Sequence, residues 1–264
     1  MPICISGMHR SGTSMVARLL QICGLCLGPE EELGVDSNNG EPHWENTRFV
    51  ALNDKILNRM GGSWENPPQL LAGWEHTPEV EALRSQAKKL IKRLSSQHTW
   101  GWKDPRNSLT LPFWQRIVTD LRLVICLRNP LEVSHSLRVR GDLIGMPLFQ
   151  LWLTYYRELL SAIPPQQRVV THYQSYFQDP TAELQRVVNA IGMDVSADVI
   201  NRACAHISGD LHHHRIKTSE LAAMNVPNEV LALYLKLCRE AGPIYQKEPE
   251  CETAIDEPTS TRLC

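Results

Sequence analysis

Apolar positions along the chain alternate between two rhythms. Pro2-Ile3-Cys4-Ile5-Ser6 is a short unbroken apolar run, as expected of a strand buried on both faces. After Gly7 to Gly12, Met15, Val16, Leu19, Leu20 and Ile22 recur at helical spacing until Gly24 stops the pattern. Residues 25–27 read as a second, very short strand. Residues 30–46 are polar and rich in Gly, Asn and Glu, and read as one long loop, a kind often functional in compact domains. Helical patterns resume over 49–60 and 78–94, and 99–103 is aromatic and β-prone. Arg122–Leu127 (RLVICL) is the strongest strand signal. Helices follow at Pro130–Arg140 and 147–163, a strand at Arg168–His172, and helices at 180–191, 197–207 and 227–240. Strands alternating with helices predict an α/β fold whose mostly parallel sheet, of about five strands, is covered on both faces.

Composition narrows the function classes. The 264 residues suit one large α/β domain. Residues 1–246 are assigned to it, and 247–264, with five acids against Lys247 and Arg262, to a disordered acidic tail. A formal charge of −2, from 27 Lys+Arg against 29 Asp+Glu, excludes a generally basic nucleic-acid binder. Hydrophobic content of 42% with 21% charged residues excludes wholesale disorder. No run approaches the ~18 apolar residues of a membrane span, and a structured motif begins at Gly7 with no room for a signal peptide. A cytoplasmic protein is expected. The eight cysteines are scattered, and Cys23-Gly24-Leu25-Cys26 has no second C-x-x-C partner, so both read as packed thiols. His212-His213-His214 are consecutive and point in different directions, so no metal site is expected.

Chemistry enters at Gly7-Met8-His9-Arg10-Ser11-Gly12-Thr13-Ser14, between the first strand and first helix. The G-x-x-x-x-G spacing is that of a nucleotide phosphate loop, but Thr13-Ser14 stand where a Walker motif has Lys-Ser/Thr. The loop's physics survives: glycines admit the anion, and the free N–H groups of a helix start face it with the positive end of the helix dipole. Arg10 supplies charge in place of the lysine, and its planar fork can grip two oxygens of a phosphate or sulfate.

This loop resembles the 5′-phosphosulfate loop of sulfotransferases that use 3′-phosphoadenosine 5′-phosphosulfate (PAPS). A second stretch supports the resemblance: Leu127-Arg128-Asn129-Pro130, with Ser136 eight residues after Arg128. The resemblance implies a P-loop-NTPase-like three-layer sandwich. It places the 5′-phosphosulfate on Arg10, Ser11, Gly12, Thr13 and Ser14, and the 3′-phosphate on Arg128 and Ser136. Tyr173, in His172-Tyr173-Gln174, corresponds to a tyrosine near the adenine, although Gln174 replaces the family's usual Glu. Arg215 and Lys217, in Leu211–Lys217, fall where the family closes a basic loop over the 3′-phosphate. Met15 replaces an adenine-stacking Trp of cytosolic members.

In Trp102-Lys103-Asp104-Pro105-Arg106, Lys103 matches the strand-end lysine that neutralises the bridging oxygen, while Asp104 and Arg106 also read as a structural ion pair. Pro105 occupies the place of the catalytic His of members that sulfate phenols and steroids, so the base must come from elsewhere or be dispensed with. Gly40-Glu41-Pro42-His43-Trp44-Glu45-Asn46 resembles a glutamate-bearing segment of bacterial-type and carbohydrate enzymes, giving Glu45 as first choice, His43 second and Glu41 third. Desolvation beside Trp44 is expected to raise the Glu45 pKa. The implied reaction moves a sulfuryl group from PAPS to a hydroxyl of a small-molecule or glycan acceptor, releases 3′-phosphoadenosine 5′-phosphate and needs no metal. A P-loop NTPase or small-molecule kinase, and a non-catalytic nucleotide-binding module, are the rival readings.

Overall fold

The computed structural model describes residues 1–35, 42–141, 146–207, 221, 224 and 226–242. Arg215, Lys217, Glu41, the three consecutive histidines and the acidic tail lie outside the described residues.

In chain order the elements are β1 (Pro2–Gly7), α1 (Thr13–Ile22), β2 (Leu33–Val35), β3 (Pro42–Asn46), α2 (Thr47–Arg59), α3 (Pro78–Glu81) and α4 (Arg84–Leu94). There follow β4 (Trp100–Lys103), α5 (Asn107–Gln115), β5 (Arg122–Leu127), α6 (Pro130–Arg140), α7 (Leu148–Ala162) and β6 (Arg168–His172). The last are α8 (Ser175–Gln178), α9 (Pro180–Ala190), α10 (Ala197–Cys204) and α11 (Asn228–Glu240).

The parallel sheet has the order β4-β1-β5-β6. Its side chains alternate between two layers, as strand geometry requires. Ile3, Ile5, Val124, Cys126 and Val169 pack with α1, α9 and α10. Cys4, Leu123, Ile125, Leu127 and Val170 pack with α2, α4, α5, α7 and α11. The result is the expected three-layer α/β arrangement.

Three expectations are corrected. Among the described residues the sheet has four strands where about five were expected: residues 25–27 touch its edge only at Cys26, which pairs with Trp100 as a single parallel bridge. Gly28, at φ 104°, then turns the chain away. The stretch read as one loop holds the antiparallel pair β2–β3, Leu33 opposite Asn46 and Val35 opposite Pro42. The helix predicted over 78–94 is two helices, α3 and α4. Helix α5 went unread because Pro112 stands inside it.

Topology fixes where a ligand can bind. The chain leaves β1 toward β4 on one side and leaves β5 toward β6 on the other. The crevice outside the carboxyl ends of adjacent β1 and β5 is therefore a topological switch point, where ligands of open α/β sheets bind. Gly7, Lys103, Leu127 and His172 close their strands on that one edge.

Candidate active site

The loop after β1 can approach its neighbour only because residue 7 is glycine. At φ 141° an added Cβ would lie 2.3 Å from the Cys126 carbonyl oxygen. Arg10 (φ 66°) and Gly12 (φ 85°) are both left-handed, a backbone pattern that turns successive N–H groups into an anion-binding concavity. Helix α1 then starts with no side-chain cap and no acid in its first turn. Its unpaired N–H groups and positive dipole end stay open to an anion.

Expected donor residues meet across the switch point. Arg10 Nε donates to Ser136 Oγ at 2.9 Å, and an Arg128 terminal nitrogen donates to the Arg10 carbonyl at 3.3 Å. The two clusters are thus contiguous, with Arg10 reaching from one into the other. Arg128 Nε donates to Glu132 Oε2 at 2.8 Å, one helical turn on, and its guanidinium lies 4.4 Å over the Tyr173 ring. Tyr173 follows β6, donating its backbone N–H to the Leu127 carbonyl. Its ring packs so closely on Gly12 that a Cβ there would come within 2.4 Å. Asn129 accepts from the Leu131 N–H as N-cap of α6, with Pro130 in the first turn. Not every loop hydroxyl is open. Ser14 Oγ donates to the His43 carbonyl at 3.1 Å, and Ser11 Oγ lies 3.2 Å from the Tyr156 hydroxyl.

Beyond β1, at the end of β4, Lys103 is 2% exposed and its Nζ donates to Glu45 Oε1 at 2.7 Å. The lysine expected to serve the leaving group and the first-choice base are therefore an ion pair. Burial pushes the Glu45 carboxyl up, but the Lys103 ammonium, its hydrogen bond, Arg106 and His43 together hold it below the ordinary glutamate range. This reverses the expected direction: sequence placed Trp44 beside Glu45 but not Lys103. Trp44 itself has φ 58°, an outlier for a bulky residue and a source of strain at this site.

A buried polar framework supports the pair. Arg106 donates to Asp104 Oδ1 at 3.0 Å and to Asp54 Oδ1 at 2.7 Å, and its nearest guanidinium nitrogen is 4.0 Å from Glu45 Oε2. Asn53 donates to Asp104 at 2.8 Å and to Asn107 at 3.0 Å while accepting from Thr110 and Trp114. The Asp104–Arg106 pair is structural, as expected, and the Trp100 and Trp102 rings are core. Asn53, Asp54 and Glu132 were missed; only Glu132 left a trace in sequence, by its i+4 spacing from Arg128. Among the described residues, no three His, Cys, Asp or Glu side chains are grouped to hold a metal, and the six cysteines are free thiols.

Comparison with known proteins agrees with this geometry. The model of the sulfotransferase family matches residues 2–197. A Caenorhabditis briggsae protein named as a candidate protein-tyrosine sulfotransferase is 25% identical over 128 residues. That match covers 45% of this chain and 42% of the relative, so the chain spans under half the length of the curated protein it matches. Sulfotransferase STF9 from Mycobacterium avium superposes with TM-score 0.52 at 17% identity, over 89% of this chain and 76% of its own. STF1 from Mycobacterium tuberculosis superposes with TM-score 0.51 at 13% identity, over 84% and 75%. A sulfotransferase from Alicyclobacillus acidocaldarius does so with TM-score 0.50 at 17% identity, over 88% and 94%. These structures share the fold.

Proposed function

The chain belongs to the sulfotransferase family, and from that premise we propose that it transfers the sulfuryl group of PAPS to a hydroxyl of a small-molecule, lipid or glycan acceptor. One observation carries the reading: the carboxyl edge of the sheet gathers an open anion loop, the Arg10–Ser136–Arg128 cluster and the Lys103–Glu45 pair around one switch point. The residues present fit the donor. Arg10 to Ser14 would hold its phosphosulfate, Arg128 and Ser136 its 3′-phosphate, and Tyr173 would lie beside both, with Arg215 and Lys217 as further candidates for the 3′-phosphate. Bound there, PAPS supplies a sulfuryl group on an activated anhydride bond.

The rest is done by the chain. Glu45 takes the proton of the acceptor hydroxyl as its oxygen bonds to sulfur, with His43 and then Glu41 as the alternative bases. Lys103 Nζ stabilises the negative charge left on the departing phosphate oxygen as the S–O bond breaks. The ion pair links these roles. While Lys103 holds Glu45, the carboxylate is a poor base. Once Lys103 turns to the leaving oxygen, burial pushes the Glu45 pKa up toward a useful value. The base is thereby strengthened only where a donor is engaged.

Calorimetric titration with 3′-phosphoadenosine 5′-phosphate and with ATP–Mg²⁺ tests the reading. Tight, metal-independent binding of the first is expected. Preference for ATP–Mg²⁺ would instead make the protein an NTPase or kinase. Binding without transfer of labelled sulfate to any acceptor in a hydroxyl-compound screen would leave a binding module.

A further inference from the structure

The two oxygens of Glu45 are unlike. Oε1 accepts from Lys103 Nζ at 2.7 Å. Oε2 takes no hydrogen bond among the described residues, although the Arg106 guanidinium faces it at 4.0 Å, beyond hydrogen-bond reach. The Glu45 side chain is 18% exposed, so it is not sealed from solvent. A guanidinium and a carboxylate this close, in surroundings this dry, should close into a charge-assisted hydrogen bond. Something holds them apart.

The restraint lies in the other partners of Arg106. Its Nε donates to Asp54 Oδ1 at 2.7 Å, and the same terminal nitrogen that faces Glu45 donates to Asp104 Oδ1 at 3.0 Å. Asp104 is itself fixed. It is fully buried, its Oδ2 accepts from Asn53 Nδ2 at 2.8 Å, and its Oδ1 also accepts from the Arg106 backbone N–H at 3.0 Å. Asn53 and Asp54 are successive residues of α2, so that helix grips the segment after β4 at two points. Asn53 is buried, whereas the Asp54 side chain is 40% exposed and holds the guanidinium by its Nε.

Resting on the sulfuryl-transfer reading, we propose that Asp54 is a positioning residue: it ties Arg106 back, just out of reach of Glu45 Oε2, and so keeps that oxygen free to take the acceptor's proton. The acceptor oxygen bonds to sulfur and its proton passes to Oε2. The S–O bond to the donor phosphate breaks, with its electron pair left on the phosphate oxygen beside Lys103. Released from Asp54, Arg106 would close on Oε2, leaving the carboxylate a weaker base with its proton-accepting oxygen occupied.

Few charges face Glu45. Lys103, Arg106 and His43 draw its pKa down, and the Asp104 carboxylate opposes them. Burial and the nearby cations keep His9 neutral. The other charged groups around β3 are engaged elsewhere: Arg10 with Ser136, Arg18 of α1 with His206, Arg48 of α2 with Glu32, and Arg59 with the Glu79 carbonyl. Lys55 of α2 is exposed, and β2 carries no charge.

Water serves as the acceptor in the test. Hydrolysis of saturating labelled PAPS to sulfate and 3′-phosphoadenosine 5′-phosphate is followed against pH in wild type, Asp54→Ala and Asp54→Asn. Affinity for the product nucleotide is measured alongside. Asp54→Ala removes the tether, so the acid limb of kcat should move about one unit lower in pH and the plateau should fall about threefold. Nucleotide affinity should stay within about twofold. Asn lacks the charge but keeps an oxygen to accept from Arg106 Nε, so Asp54→Asn should restore most of the limb and the plateau. Equal displacement in both variants would assign the effect to charge rather than tether and overturn the proposal. An unmoved limb in Asp54→Ala would leave Asp54 merely structural and overturn it too, as would rate and nucleotide affinity falling together. Wild type that splits PAPS with no acid limb would overturn the role by removing the base. Wild type that neither binds the nucleotide nor splits PAPS would overturn the sulfuryl-transfer reading itself, and so differs from failure of the Asp54 role alone.

Discussion

The two cationic clusters on the carboxyl edge of the sheet differ in their countercharges. Around Lys103 and Arg106 stand three carboxylates, Glu45, Asp54 and Asp104. At the other cluster Arg128 pairs with Glu132, and the Arg10 and Arg128 guanidiniums converge, the first on Ser136 Oγ and the second on the Arg10 carbonyl. The first cluster thus sets three carboxylates against two cations, and the second brings two guanidiniums together at the glycine loop. A region where two guanidiniums converge suits a multiply charged anion. One with spare negative charge suits a hydroxyl about to lose a proton. The difference is the one that the proposed placement of donor and acceptor on opposite sides of β1 requires.

The severest way to break the contrast is to remove Lys103, the cation that the proposed mechanism asks to serve both Glu45 and the leaving oxygen. Lys103→Ala should cut turnover about 10²–10³-fold, as for losing a preorganised donor to the leaving oxygen. It should also destabilise the fold by about 3 kcal/mol, because buried Glu45 loses its partner. Labelled-sulfate transfer and urea unfolding read the two effects separately. Unchanged turnover would remove Lys103 from the chemistry.

Glu45→Gln should reduce turnover about 10²-fold with little change in nucleotide affinity if, as proposed, it serves the acceptor rather than the donor. Its pH dependence is more discriminating. In free enzyme Lys103 and Arg106 hold Glu45 low, so kcat/KM should stay flat until below the ordinary glutamate value of ~4.3. In the donor complex Lys103 is engaged elsewhere, so the acid limb of kcat should lie at higher pH. Coincident limbs would refute the exchange, and a limb near 6.5, the ordinary histidine value, abolished in His43→Ala would pass the role to His43. Stability follows the same sign. The folded-state pKa lies below the unfolded one, so this contribution is intact above ~4.3 and is lost as pH falls through the depressed value. Acid unfolding of Glu45→Gln should accordingly be less steep.

On the other side of β1, Arg128→Ala should weaken 3′-phosphoadenosine 5′-phosphate by about 2 kcal/mol, the range of a charge-assisted hydrogen bond. Adenosine 5′-phosphosulfate lacks the 3′-phosphate and should bind almost as before. Equal loss for both would show that Arg128 serves the loop rather than the second anion.

What the sequence made legible follows from distance along the chain. Strand β1, the glycine loop and α1 are neighbours, and their glycines, spacing and apolar run could be read directly. Arg128, Pro130 and Ser136 likewise share one strand–helix junction. The β2–β3 pair was hidden because polar Gly/Asn/Glu composition reads as loop, and its Leu33–Asn46 pairing draws on few apolar residues. Glu45 and Lys103 are 58 positions apart, and only the packing of β3 beside β4 joins them. The direction of the Glu45 pKa was unreadable for that reason.

Ser136→Ala is the mildest probe and the finest. Ser136 Oγ receives the Arg10 Nε hydrogen bond at 2.9 Å, so its hydroxyl can act on the nucleotide directly or through the posture of Arg10. A neutral hydrogen bond is worth about 1 kcal/mol, so nucleotide affinity should fall roughly fivefold. If Ser136 touches the 3′-phosphate itself, the loss should vanish with adenosine 5′-phosphosulfate, as for Arg128. If it acts by holding Arg10 over the loop, both nucleotides should weaken alike. The Ser136→Ala/Arg10→Ala double variant should then be no weaker than Arg10→Ala alone. Either result leaves the cation-rich side as the donor side. Full retention of affinity for both nucleotides would reduce Ser136 to a surface residue of α6 and leave Arg128 to carry the second anion alone.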